Sequence, residues 1–414
     1  MTKKRYFFLI LILGTLTALG PFSIDMYLPS FPAIAKDLQT TVARVSLSLS
    51  GFFIGISAGQ LLYGPLLDRF GRKKPLYIGL AIYILASFGC LSVHSIEALI
   101  VLRFVQAIGG CAAGVASVAM VRDLFPVQDN AKVFSLLMLV VGASPMIAPT
   151  VGGYVTAAFG WQSVFLILAV MGTLILLASI FFLPESYRPD PAISLKPKPI
   201  LLGFWVVLRE LQFYTYAIAG AMAFACLFAY ISGSPLVFMD IFHVNGKVYG
   251  WIFAFLSIGF IGSSQFNSLL LKKYRSGQIV FSALVGQSLI GLIFLFGTWN
   301  GWFGLYGTIA MLFLFLCCLG IANPNASALS LAPFSKNAGS ASALLGALQL
   351  GLGALASVGV SLFNTRSALP MVAIIAGTSL TALLILITGS KNIGKPGRNT
   401  NRAASRYHSL SKAD

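Results

Sequence analysis

The sequence predicts an all-α polytopic membrane protein of twelve spanning helices in two pseudo-symmetric six-helix halves. Three observations lead there. Of its 414 residues, 57% are hydrophobic and only 9% charged, with a mean hydropathy of +0.88, whereas soluble domains carry about a quarter charged residues. Apolar runs of the ~20 residues needed to cross ~30 Å of hydrocarbon occur twelve times. The longest polar interval, 184–210, divides them six and six.

The spans read 6–28, 45–67, 75–93, 96–120, 133–158 and 161–183, then 213–239, 249–271, 279–298, 302–331, 339–362 and 369–388. The first follows Lys3-Lys4-Arg5 as a secretory leader would. Its run continues past Phe22 without a small-residue cleavage site, however, and equally apolar segments follow, so it reads as a span. With the amino terminus inside, 23 of the 28 Lys and Arg fall in inner segments; Lys36, Arg44, Lys247 and Arg366 lie outside and Arg103 within a span. This bias places both termini in the cytoplasm, with the chain in the inner membrane. The organisation is therefore a first half at 1–183, a cytoplasmic linker at 184–210 containing Lys196-Pro197-Lys198-Pro199, a second half at 211–390, and a basic tail at 391–414. The tail is read as disordered and close to the anionic inner leaflet. Phe125-Pro126 with Ala131 is echoed by Pro333-Phe334 with Ala338-Gly339, as a duplicated plan requires.

Composition also excludes functions. The net charge of +17 sits between spans and serves insertion rather than nucleic-acid binding. The five cysteines lie in apolar segments, so neither a disulfide framework nor a zinc site is indicated. His94, His243 and His408 fall near loops or in the tail and form no cluster with acids, which argues against a membrane-embedded enzyme. Gly389 through Gly394-Lys395 has P-loop spacing, but Pro396 stands where Ser or Thr would hold magnesium, and no strand precedes it. No cofactor and no metal are implied.

The first span contains one acid, Asp25, in Gly20-Pro21-Phe22-Ser23-Ile24-Asp25-Met26-Tyr27-Leu28-Pro29-Ser30-Phe31-Pro32. A carboxyl group at membrane depth costs roughly 2.5–3.5 kcal/mol on insertion scales, so its default reading is functional. Arg103 in the fourth span lies about seven residues deep, roughly 10 Å at 1.5 Å per residue, which is a depth similar to that of Asp25. The two can meet. In span two, Gly51, Gly55 and Gly59 make a smooth stripe for a close helix contact. In span five, Pro145 and Pro149 remove two backbone donors, and Gly152 and Gly153 allow close approach, which marks a hinge or a tightly packed helix. The bulky sixth and twelfth runs are expected to face lipid.

The loop Gly64-Pro65-Leu66-Leu67-Asp68-Arg69-Phe70-Gly71-Arg72-Lys73-Lys74-Pro75-Leu76 resembles the G-x-L-a-D-r-x-G-r-k loop of the major facilitator superfamily. Glycines at its ends permit a tight turn, and an acid beside guanidinium groups can latch helix ends, so Gly64, Asp68, Arg69, Gly71 and Arg72 are candidate latch residues. Leu99-x-x-x-Arg103-x-x-Gln106-Ala107 is similar to the superfamily's fourth-helix pattern, with Ala107 where glycine is usual. Ser144 through Gly153 resembles its antiporter pattern, with Ser144 and Ala148 in place of glycines. The Asp25 stretch, together with Asn323-Pro324-Asn325-Ala326 and Ala338 through Ala343, resembles the bicyclomycin-resistance (Bcr/CflA) group.

This resemblance implies a monomeric transporter of two halves rocking around a central cavity, driven by an ion gradient because no nucleotide site exists. It implies multidrug efflux of small lipophilic or cationic substrates, with Asp25 as proton carrier and Arg103 as its partner. The alternatives are an exporter of one metabolite, such as a siderophore or sugar, or an importer on the same frame. A permanent Asp25–Arg103 ion pair that only fixes packing is a second reading of the pair, and Asp240 is a further acid that can contribute. Phe22, Tyr27, Phe224, Phe228 and Tyr230 lie on helices that line the cavity in the superfamily, and Gln106 and Asn323 are candidate polar contacts.

Overall fold

The computed structural model describes residues 3–190, 204–334, 338–363 and 367–391. The Lys196 to Pro199 stretch, the loop cations Lys336 and Arg366, and the tail beyond Lys391 lie outside the described residues. Among the described residues twelve helices are long and apolar enough to cross a membrane, and no strand is present. The first six are α1 (Lys3–Asp25), α2 (Val42–Phe70), α3 (Lys73–Gly89), α4 (Ile96–Leu124), α5 (Val127–Phe159) and α6 (Gln162–Phe182). The second six are α7 (Leu211–Pro235), α8 (Gly246–Leu270), α9 (Ser276–Trp299), α10 (Leu305–Leu331), α11 (Ala338–Leu362) and α12 (Leu369–Ser390).

Their packing shows the two-fold plan. In the first half α4 packs on α1, α2 and α3, α1 on α5, and α3 on α6. In the second, α10 packs on α7, α8 and α9, α7 on α11, and α9 on α12, which is the same pattern six helices later. The halves meet along α2–α11 and α5–α8, two seams that exchange when the halves are swapped. The α2 glycine stripe faces α4: a Cβ on Gly55 would collide with the Phe104 carbonyl, and one on Gly59 with Cys111. Cys90, Cys111 and Cys226 are buried packing residues.

Two spans depart from the simple reading. The first extends from Tyr6 to Asp37 but breaks after Asp25 into a 3₁₀ turn, Leu28–Ser30, and a short helix, Phe31–Asp37. Pro29 has no N–H to offer the Asp25 carbonyl four residues earlier, and Pro32 repeats the defect, so two closely spaced prolines favour the break. The seventh runs on from α7 through a π-helical segment, Leu236–Ile241, which holds Asp240, half-buried and outside the cavity lining.

The end of the molecule carrying Met26 and Gly246 is closed. Gly152 packs on the Met26 carbonyl, Gly153 on Gly246 and Gly250 on Thr150, while Ser46 Oγ donates to the Ser232 carbonyl at 2.8 Å and Ser50 and Ser357 share a hydroxyl pair at 2.6 Å. α5 is helical through both prolines.

Candidate transport site

Between the halves lies a cavity of about 1060 Å³ whose lining runs from Asp25 to Asp68, Arg72, Arg122 and Phe204 at the opposite end. Arg122 there is exposed, so the cavity reaches the surface on that side. Its deep wall is aromatic: Phe52 of α2, Tyr83 of α3, Phe224, Phe228 and Tyr230 of α7, and Phe253 of α8. Phe228 packs edge-on against Phe53 at 4.5 Å across the interface between halves. Asp25, the last residue of α1, is 4% exposed and lies in this wall.

Arg103 is fully buried and does not line the cavity. Its Nη1 donates to Gln106 Oε1 at 2.5 Å and its Nη2 to the Ser23 carbonyl at 2.8 Å. Its guanidinium lies 4.1 Å from the Phe52 ring centre and 4.7 Å from that of Tyr27. Because α1 ends at Asp25, the Ser23 carbonyl is one of the orphan acceptors of a helix C-terminus, and a guanidinium suits both its hydrogen-bonding need and the helix dipole. No ion pair joins Arg103 to Asp25 among the described residues. The sequence places the two at one depth; the structure separates them by function, with Arg103 capping the backbone and Asp25 facing the cavity.

Of the other candidates, Phe224, Phe228 and Tyr230 line the cavity. Phe22, Tyr27, Gln106 and Asn323 do not. Tyr27 is fully buried with its hydroxyl on Ser48 at 2.8 Å, Gln106 is held between Arg103 and Ser87, and Asn323 accepts from Gln349 at 3.0 Å. Tyr27 and Gln106 support the wall from behind. Tyr83 anchors α1 through Ser23 Oγ at 2.6 Å. Phe52, Tyr83 and Phe253 were not readable as lining residues, because an aromatic in an apolar run carries no mark of the face it takes.

At the open end, Gly71 turns the chain with φ 83° and the latch closes around Arg72. Arg72 bonds Asp68 at 2.6 Å and Asp123 of α4 at 2.8 Å and lies 4.2 Å from the Tyr187 ring centre. Glu185, just beyond α6, accepts from the backbone N–H groups of Arg72 at 2.8 Å and Lys73 at 3.1 Å, capping α3. Ser186 adds a bond to Asp123 at 3.0 Å. Gly64 lines the cavity, and Arg69 lies over the Phe70 ring. All these groups belong to the first half or to the start of the linker. Asp123, Glu185 and Tyr187 are partners that the loop motif does not contain; the scarcity of acids, 11 in the whole chain, was the signal that could have found the first two.

Residues 13–358 match the Major Facilitator Superfamily. The chain belongs to that superfamily. Among its superfamily relatives it is 32% identical to a bicyclomycin resistance protein homolog of Haemophilus influenzae over 89% of this chain and 92% of the relative. It is 30% identical to the multidrug resistance protein MdtL of Shigella flexneri serotype 5b over 90% and 93%. The superfamily fold is also that of a D-xylose-proton symporter crystal structure, which superposes with a TM-score of 0.73 at 15% identity over 92% of this chain and 97% of the other. This is a multi-pass membrane protein with the family and fold of a transporter.

Proposed function

We propose that the protein exports lipophilic or cationic drugs across the cytoplasmic membrane by alternating access, in exchange for protons carried by Asp25. The observation that carries this reading is a carboxyl group, 4% exposed and without an ion-pair partner among the described residues, set in the aromatic wall of a cavity large enough for a drug-sized molecule. The relatives named for bicyclomycin and multidrug resistance support the substrate class. The excess of Lys and Arg on the latch side supports cytoplasmic termini and an inward-open cavity.

Arg103 is already committed to Ser23 and Gln106, so competition for Asp25 lies between a proton and a cationic or hydrogen-bonding drug. Binding of one displaces the other, and the contacts of α5 with α8 and of α2 with α7 and α11 hold the closed end in this shape. Purified protein in proteoliposomes tests this. An imposed pH gradient drives drug exchange by the wild type, and Asp25→Asn, fixed in the neutral form, binds cationic drugs more weakly and loses the dependence on the gradient. Gradient-driven exchange by a folded Asp25→Asn protein contradicts the carrier role.

A further inference from the structure

The deep wall holds a second polar group besides Asp25. Tyr230 of α7 is 3% exposed, its ring is stacked on Phe253 of α8 at 5.4 Å, and its hydroxyl is buried without a hydrogen-bond partner among the described residues. A buried hydroxyl left unpaired is costly, so a lone one in a cavity wall signals a partner acquired in another state. The neighbouring phenol, Tyr249, is not in that position, since its hydroxyl bonds Ser234 at 2.8 Å. Tyr230 and Asp25 come from opposite halves and line the same cavity.

The groups around Asp25 can be named helix by helix. α4 brings Arg103, turned to the Ser23 carbonyl; α3 brings Tyr83, bonded to Ser23; α7 and α8 bring Tyr230 and Tyr249. α6 carries no titratable residue, and α5 carries its charges, Asp129 and Lys132, in its first two turns. On α2, Arg44 pairs with Glu97 at one end and Asp68 with Arg72 at the other. Of these groups, two have a buried donor without a partner among the described residues, Arg103 Nε and the Tyr230 hydroxyl, and of the two residues Tyr230 is the one that lines the cavity.

We propose that the Tyr230 hydroxyl is the hydrogen-bond donor that the second half brings to the Asp25 carboxylate, a positioning residue that ties the placement of the halves to the charge on Asp25. The inference rests on Asp25 being the proton carrier. A phenol O–H bonds an ionised carboxylate strongly, and the attraction weakens when the proton returns, so the contact between halves follows protonation.

The test is Tyr230→Phe, which keeps the ring and its stack on Phe253, alone and combined with Asp25→Asn, in proteoliposomes assayed for drug exchange across a pH series. Losing a donor to the charged form moves the half-maximal pH of exchange to the alkaline side by about one unit. In the Asp25→Asn background, Tyr230→Phe adds no further change. An unmoved midpoint, beside an Asp25→Asn protein that has lost its pH dependence, overturns the role of Tyr230 alone. An equal change of rate in both backgrounds also overturns it, since the residue then acts only through packing. An Asp25→Asn protein with the wild-type pH profile overturns the carrier reading and the role of Tyr230 with it.

Discussion

Arg103 Nη2 donates to the carbonyl of Ser23 at 2.8 Å, two residues before Asp25. The arginine satisfies the broken end of α1 instead of neutralising its acid. A guanidinium fits because it spans two acceptors, Ser23 and Gln106, and presents a flat face to Phe52 and Tyr27. The consequence is an acid left facing the cavity.

Arg103→Ala therefore strands two buried acceptors. It is expected to destabilise the protein by roughly 2–4 kcal/mol, read as a lower melting temperature in detergent together with loss of transport. Arg103→Lys keeps the charge but cannot span both acceptors, and falls between. A wild-type melting temperature in Arg103→Ala would contradict the capping role.

At the latch, Asp123 and Asp68 bond the same guanidinium from different surroundings, with side chains 16% and 48% exposed. Solvent screens the second pair, so Asp68→Asn is expected to cost under about 1 kcal/mol and Asp123→Asn about 1–3 kcal/mol. Burial acts to lower the Arg72 pKa, but its bonds to Asp123 and Asp68 outweigh this and hold it above the usual guanidinium value. A cation with a raised folded pKa gives its full stabilisation below the unfolded value and loses it only as pH rises through the folded one. Arg72→Gln should therefore lower the melting temperature by the same amount across the physiological pH range; a difference that grows or fades within that range would contradict the assignment.

The sequence showed the fold through length and periodicity, and the Asp25 and Arg72 regions through charges that are expensive at or near the membrane. It did not show that Asp25 and Arg103 stay apart, because equal depth on two helices says nothing about rotation about their axes. The break after Asp25 was present in Pro29, whose missing N–H denies the Asp25 carbonyl its helical partner. Glu185 was hidden for a different reason: Pro184-Glu185-Ser186 reads as linker, and only the fold brings it beneath the start of α3. Phe224, Phe228 and Tyr230 reached the cavity wall, whereas Tyr27, on the first span like Asp25, turned away to Ser48.

Gly152 sits against the Met26 carbonyl with no room for a Cβ. Gly152→Ala must push α5 away from the end of α1 and so displace the adjoining α5 face that meets the second half through Gly153 and Thr150, weakening the closed end. Cysteine-labelling of a site near Met26, in a background freed of its own cysteines, is expected to show faster modification in Gly152→Ala than in the parent. Equal labelling rates would mean that this contact does not hold the closure.

The hydroxyl pair Ser50–Ser357 joins α2 to α11 at that same end, and its 2.6 Å bond is the only one recorded for Ser357 Oγ among the described residues. Removing one hydroxyl leaves the other buried without this partner. Each single change, Ser50→Ala or Ser357→Ala, is expected to weaken closure by about 0.5–1.5 kcal/mol, or roughly 2- to 10-fold in the population of the closed state. Replacing both partners removes the need along with the bond, so the double variant should lie nearer to the parent than either single one. Spin labels placed across the closed end can measure these populations. Additive effects of the two substitutions would show that the hydroxyls act independently and not as a pair.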